Sequence, residues 1–318
     1  YTTRDPFGAA GDFITAPEIS QMFGELIGLC LAQCWQDQGA PERFTLAELG
    51  PGRGTLMADL LRACRQVPRF ADAAEIVLIE ASPPLRAAQK TALDGYDVRW
   101  AESVEALPDA PLFAIANEFF DALPIRQFLR DGQKWRERQV GVQDDTLIIG
   151  LGPAQAQPAL TDRLQDTKDG DLIETCSAAS PIIDALSTRI EKHGGAALII
   201  DYGDWHTLGD TLQAVRAHQK AGILDTPGAA DLTAHVDFEA LTRASRSPCT
   251  RVTPQGVFLE RLGITDRAQA LAQKLNGDPL TTHIAAHRRL THPAEMGNLF
   301  KVMALYPSAH APPPGLEP

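Results

Sequence analysis

The sequence predicts an α/β fold built on a mostly parallel sheet, and three observations carry that prediction. Apolar runs at residues 45–49, 76–79, 112–116 and 196–200 have the length and continuity of strands buried on both faces. Segments with apolar residues at helical spacing lie between some of these runs, so strand and helix alternate. The first run enters Gly50-Pro51-Gly52-Arg53-Gly54-Thr55, a glycine-rich turn that opens a helix carrying Leu56, Met57, Leu60, Leu61 and Cys64 on one face. Strand, turn and helix of this kind begin a Rossmann-like nucleotide-binding sheet, with the ligand at the carboxyl end of the strand.

Ahead of that strand, residues 3–16 read as loop, with Gly11-Asp12-Phe13-Ile14-Thr15 expected over the ligand. A helix follows, with Ile19, Met22, Phe23, Leu26, Ile27, Cys30 and Cys34 on one face, stopped by Gly39 and Pro41. The glycine spacing is informative in itself. A dinucleotide fingerprint needs glycine at position 55, where threonine stands, so a nicotinamide dehydrogenase is disfavoured.

The second strand closes on Glu80, where a carboxylate can accept from both hydroxyls of a ribose. Ser82 is expected to cap the next helix, and Pro83 suits its first position. Residues 97–101 make a weaker third strand, followed by Glu102 and Ser103. The fourth strand ends in Asn117-Glu118-Phe119-Phe120-Asp121-Ala122-Leu123-Pro124. Asn117, Glu118 and Asp121 cluster there as candidate site residues, while Phe119 and Phe120 read as packing.

From residue 125 the pattern changes to short alternating runs separated by Asp131-Gly132 and Asp144-Asp145. An inserted antiparallel β subdomain over residues 125–178 is expected on the substrate side. Ser180-Pro181 reads as the cap of a helix with Ile182, Ile183, Leu186 and Ile190 on one face, ending at Gly194-Gly195. The fifth strand runs into Asp201-Tyr202-Gly203, and residues 204–240 are expected as a lid. Residues 252–259 and 299–306 read as a closing antiparallel strand pair. The whole is expected to be one domain over residues 1–306, with 307–318 as a loose tail.

Composition limits the function classes. The chain has 318 residues, 44% hydrophobic and 22% charged, and no run approaches the roughly 18 apolar residues of a membrane helix. A net charge of -12 without a dense basic run argues against nucleic acid as partner. The five cysteines form no C-x-x-C pair and read as reduced thiols. Because the chain begins Tyr1-Thr2-Thr3 without methionine, further residues are expected ahead of it. His283 and His287 have the spacing of a zinc pair, but the H-E-x-x-H glutamate is replaced by Ile284, so no metal is expected. No serine stands in a G-x-S-x-G elbow, which disfavours a hydrolase.

Glu48-x-Gly50-x-Gly52-x-Gly54 is similar to the first motif of class I S-adenosylmethionine-dependent methyltransferases. The runs at 11–21, 48–56, 117–124, 195–203 and 230–238 together resemble the MidA-like methyltransferases, which include a mitochondrial complex I assembly factor that methylates an arginine of a core subunit. The resemblance covers nearly the whole chain. It implies a class I methyltransferase fold and S-adenosylmethionine as the donor. It further implies a protein arginine as acceptor, in a respiratory complex I subunit or similar protein. It also implies that Glu48, Gly50, Pro51, Gly52 and Gly54 line the methionine side, Glu80 the ribose, and Asn117 with Glu118 the reacting edge. For an arginine acceptor, Glu118 and Asp121 are the candidate acids that orient the guanidinium and take its proton. Two alternatives stay open: a small-molecule O- or N-methyltransferase, and an assembly factor that keeps the fold without turnover. A homodimer is among the expected assemblies. The Ala- and Arg-rich composition suits a bacterial cytoplasm, with the mitochondrial matrix expected for a eukaryotic source.

Overall fold

The computed structural model describes residues 15–216, 219–225 and 227–318. Strands β1 (Phe44–Leu49), β2 (Ala74–Ile79), β3 (Val98–Ala101) and β4 (Leu112–Asn117) pair in parallel, in the spatial order β3-β2-β1-β4. The chain then leaves this sheet for β5 (Arg126–Asp131), β6 (Lys134–Gln143), β7 (Thr146–Leu151) and β8 (Leu172–Thr175). These form a separate antiparallel sheet, ordered β7-β6-β5-β8. The helix Ala179–His193 leads back to β9 (Gly195–Asp204), which lies parallel to β4. Next, β10 (Gln213–Arg216), β11 (Gln219–Ala221) and β12 (Asp231–Thr233) make a small antiparallel sheet. The main sheet is completed by β13 (Val236–Asp237) beside β9, and by β14 (Thr253–Pro254) and β15 (Phe300–Leu305), with β15 antiparallel to β9.

Strict alternation of side chains splits the core into two layers. Leu46, Ile76, Leu78, Phe113, Ile115, Leu198 and Ile200 face the helices Gln21–Asp37 and Thr55–Cys64. Ala47, Leu49, Val77, Ala114, Ala116, Ala197 and Ile199 face the helices Ala179–His193 and Phe238–Ala244. The first layer is drawn in by glycine: a Cβ on Gly28 would stand 2.7 Å from Cγ of Leu60. The two helices therefore approach more closely than larger residues allow. By the same alternation Glu48 and Asn117 fall on that face, at the carboxyl ends of adjacent strands.

Five expectations are corrected. Residues 252–259 are not a strand: only Thr253 and Pro254 pair with β15, and Gln255–Arg261 is a helix that buries Phe258 and Leu259 and exposes Val257. Three consecutive apolar residues fit either period, and the helix brings Gly256 against the carbonyl of Thr291, where a Cβ has no room. The helix after the insertion starts at Ala179, so Ser180 and Pro181 lie inside its first turn, where a missing N–H costs no intrahelical bond. Ser82 stands at the N-cap position, but its hydroxyl makes no capping bond. The 307–318 tail is docked rather than loose. Leu316 is buried, the Cys30 thiol donates to the Pro314 carbonyl, and Arg261 pairs with Glu317 at 2.7 Å. Finally, both rings line cavities as well as packing, Phe119 the first cavity described below and Phe120, a core residue, the second.

The loop at residues 11–14 lies outside the described residues. His283 and His287 turn their ring nitrogens to the Ala268 carbonyl and the Thr265 hydroxyl, at 2.9 and 3.1 Å.

Candidate active site

The order β2-β1-β4 reverses the direction of the crossovers at β1, which leaves a crevice outside the carboxyl ends of β1 and β4. The glycine turn fills its floor. Gly50, Gly52 and Gly54 have φ of +62°, +53° and +85°, a region that side chains disfavour. A Cβ on Gly50 would lie 3.0 Å from Cδ2 of Phe119, so the loop is pressed against that ring. The turn is closed by the Gly54 N–H donating to the Pro51 carbonyl at 2.7 Å. The Gly50 N–H donates to the Ile79 carbonyl at 3.1 Å. No side chain caps the helix Thr55–Cys64 that starts here.

Above the turn is a cavity of about 350 Å³, within the range of small-molecule sites. It is lined by Thr15, Gly50, Gly52, Glu80, Ser103, Glu118, Phe119, Asp121, Tyr202 and Thr233, among others. Glu80 is held at its rim. One carboxylate oxygen accepts from the Ser82 N–H at 2.8 Å and the other from Nε2 of Gln89 at 3.3 Å. Gln89 is fully buried on the helix Pro83–Ala92, and its Nε2 also donates to the Gly52 carbonyl at 2.7 Å.

The opposite wall is acidic. Glu118 follows β4 with φ of +51°, a strained value for a non-glycine residue. Its Oε1 accepts from the Ala16 N–H at 3.1 Å and from Nδ2 of Asn117 at 3.2 Å. Burial, reinforced by the charge of Asp121, pushes its pKa up to about 7, with Arg289 and those two donors pulling against the rise. Burial likewise raises Asp121 to about 6, opposed by a hydrogen bond from Tyr202. Asp201, on β9, organises the turn between them. Its Oδ2 accepts from the N–H groups of Phe119, Phe120 and Asp121 at 3.2, 2.9 and 3.2 Å, and its Oδ1 from Tyr202 N–H at 3.0 Å. Burial and the charges of Asp121 and Glu118 hold Asp201 well above the usual carboxylate range.

Glu48 faces a smaller hollow of about 30 Å³ with Asn117, Pro51 and Arg53, and Thr15, Gly50, Gly52 and Glu118 line both spaces. Burial raises Glu48 to about 8, with the Met57 N–H opposing. Among the described residues, four buried atoms around the two spaces have no hydrogen-bond partner: Oε2 of Glu48, Oδ1 of Asn117, Oδ1 of Asp121 and Oγ1 of Thr233.

The structure thus brings Gly50, Gly52, Glu80, Glu118 and Asp121 to one cavity and sets Glu48, Pro51 and Asn117 around the adjoining hollow. Gly54 lines neither. It stands at the start of the helix, where a Cβ would lie 3.4 Å from Cα and Cγ of Gln89. Sequence pattern points the polar end of the fifth strand, Asp201-Tyr202-Gly203, toward the cleft without giving Asp201 or Tyr202 a role, and it does not single out Gln89. For Asp201 and Tyr202 the signal was present, since they end the fifth strand; for Gln89 a single amide on an amphipathic helix carries none.

The chain matches, over residues 26–257, a family described as S-adenosyl-L-methionine-dependent methyltransferase. It is similar to the mitochondrial protein arginine methyltransferase NDUFAF7 of Xenopus laevis, 36% identical over 337 residues, covering 96% of this chain and 77% of that protein. The human protein of that name is also 36% identical over 337 residues, covering 96% and 76%. Among solved structures, a COG1565 superfamily member from Burkholderia thailandensis bound to S-adenosylhomocysteine superposes with a TM-score of 0.83 at 29% identity. That match covers 98% of this chain and 84% of that one. Sheet order, a glycine turn at the strand reversal and a match across most of the length agree: the chain belongs to the family of S-adenosylmethionine-dependent methyltransferases.

Proposed function

We propose that this chain methylates an arginine of a protein acceptor, with Glu118 and Asp121 receiving the guanidinium. The observation that carries this reading is the pair of carboxylates on one cavity wall, half-buried Glu118 and buried Asp121, the latter with an oxygen that has no partner among the described residues. A guanidinium stays protonated in water, so a neutral nucleophile needs acids that orient it and accept its proton. Glu118, at about 7, is poised to take that proton near neutral pH. Asp121 holds the guanidinium before that transfer and the methylated guanidinium after the methyl group has moved from sulfur to nitrogen.

The residues also fit the methyl donor. Glu80 keeps acceptor capacity on both oxygens for a ribose, Gly50 leaves the backbone bare, and the orphaned atoms of Glu48 and Asn117 suit the charged methionine end. When bound, S-adenosylmethionine supplies a methyl group on a positively charged sulfur. The protein's part is to exclude water and hold the acceptor nitrogen in line.

Support for a large acceptor comes from the inserted sheet. A second cavity of about 430 Å³ lies between it and residues 234–243, walled by Phe128, Leu160, Ile173, Val236 and Leu241. Residues 204–240 reach the first cavity through Thr233 and are the element we assign as a lid. A respiratory complex I subunit is the acceptor that the family resemblance favours. Cys30, Cys34 and Cys64 are buried and free, as suits a bacterial cytoplasm or a mitochondrial matrix. Among the described residues, no helix is long and apolar enough to cross a membrane.

The test is to supply methyl-labelled S-adenosylmethionine and a protein extract, then to look for label in methylarginine. Label confined to small molecules points to the O- or N-methyltransferase alternative. Failure to bind either S-adenosylmethionine or S-adenosylhomocysteine points to the assembly factor without turnover.

A further inference from the structure

We infer that Gln89 is a positioning residue for the donor: it locks the glycine turn and the Glu80 carboxylate into one unit, so that Glu80 presents its free acceptor sites to the ribose. The inference rests on Glu80 as the ribose acid, as proposed above.

The amide of Gln89 is fully buried, and every polar atom on it is used. Nε2 donates to the Gly52 carbonyl at 2.7 Å and to Oε2 of Glu80 at 3.3 Å, while Oε1 accepts from Nε1 of Trp100 at 2.8 Å. An indole N–H can only donate, so the amide oxygen must face Trp100 and the NH2 must face the carbonyl and the carboxylate. The orientation is therefore fixed by chemistry. Both hydrogens of one nitrogen are divided between the two elements that flank the cavity, the first-strand turn and the second-strand end.

Glu80 is then held from two sides, by the Ser82 N–H on one oxygen and Gln89 on the other. Each oxygen keeps one lone pair, two in total, which is what two adjacent hydroxyls require. Without Gln89 the carboxylate loses one of its two anchors, and the half-buried Gly52 carbonyl loses that donor.

Two substitutions test this on the whole chain, by calorimetric titration of S-adenosylhomocysteine and of its 2′-deoxy analogue. Gln89→Glu sets oxygen against the Gly52 carbonyl and the Glu80 carboxylate; Gln89→Met removes the polar atoms at similar size. Both should weaken S-adenosylhomocysteine by about tenfold or more. The decisive quantity is the cost of the missing hydroxyl. In the wild-type chain we expect about tenfold, and in Gln89→Met less than about threefold, because the acid is no longer aimed. An equal hydroxyl penalty in both proteins reduces Gln89 to a packing role and overturns the inference. Unchanged affinity in the variants does the same. A wild-type chain that binds S-adenosylhomocysteine with no hydroxyl penalty instead overturns Glu80 as the ribose acid, and the inference with it. Far-ultraviolet circular dichroism and a cooperative thermal unfolding transition check that each variant is folded.

Discussion

The two walls of the cavity are built on opposite principles. On the glycine-turn side the groups that hold Glu80 are paired: the Ser82 N–H and the Gln89 amide donate to its carboxylate, and Gln89 also joins the Gly52 carbonyl to the Trp100 indole. On the acidic side the pairing is incomplete. Glu48, Asn117 and Asp121 each leave a buried atom without a partner among the described residues, and burial raises the pKa of four carboxylates. The first wall is a preformed mould for a neutral, hydroxyl-bearing group. The second is charged machinery whose groups become satisfied when cations arrive.

The largest effect that can break this comparison is on the acidic wall. Glu118→Gln keeps the shape and the hydrogen bond from Ala16 but removes the proton acceptor, so methyl transfer should fall by about a hundredfold or more while S-adenosylhomocysteine affinity changes little. Label transfer and calorimetry on the same preparation check it, and equal loss of both would remove Glu118 from the chemistry.

Next in size is Asp201→Ala. It takes away the acceptor of four backbone N–H groups and should cost about 3 kcal/mol in denaturant unfolding. Amide exchange at Phe119, Phe120 and Asp121 should quicken while β1 and β2 stay protected. Loss of protection across the whole sheet would instead mark Asp201 as a general core residue.

The third effect is pH dependence. Glu48 and Glu118 have folded-state values of about 8 and 7, above the ordinary carboxylate value, so the folded chain holds more protons than the unfolded one between those limits. Ligand-free stability is therefore full below the unfolded carboxylate pKa and is lost as pH rises to about 7 and 8. The slope is at most about 1.4 kcal/mol per pH unit per proton. Denaturation midpoints between pH 5 and 9 measure it, and Glu48→Gln should flatten the upper part.

The smallest effect belongs to the finished wall. Gly50→Ala places a methyl 3.0 Å from Phe119 in a left-handed backbone, and should cost about 1–2 kcal/mol of stability, with loss of S-adenosylhomocysteine affinity. An alanine variant that binds as the wild type would show that the turn tolerates a side chain.

Local pattern was enough for much of this protein. The apolar runs fixed the strands of the parallel sheet, because strands buried on both faces need continuous hydrophobic stretches. The glycine spacing and the acids after the second and fourth strands marked the cavity, because ligands sit at the carboxyl ends of such strands. Tertiary structure decided what depends on neighbours distant in the chain. Asp201 acts on residues 119–121 only because β9 lies beside β4, Gln89 reaches Gly52 across the turn, and the tail docks on the helix Gln255–Arg261 through Glu317 and Gly315. Periodicity reports which face of an element is buried; it does not report which polar atoms meet, and those meetings set the charge and aim of the site.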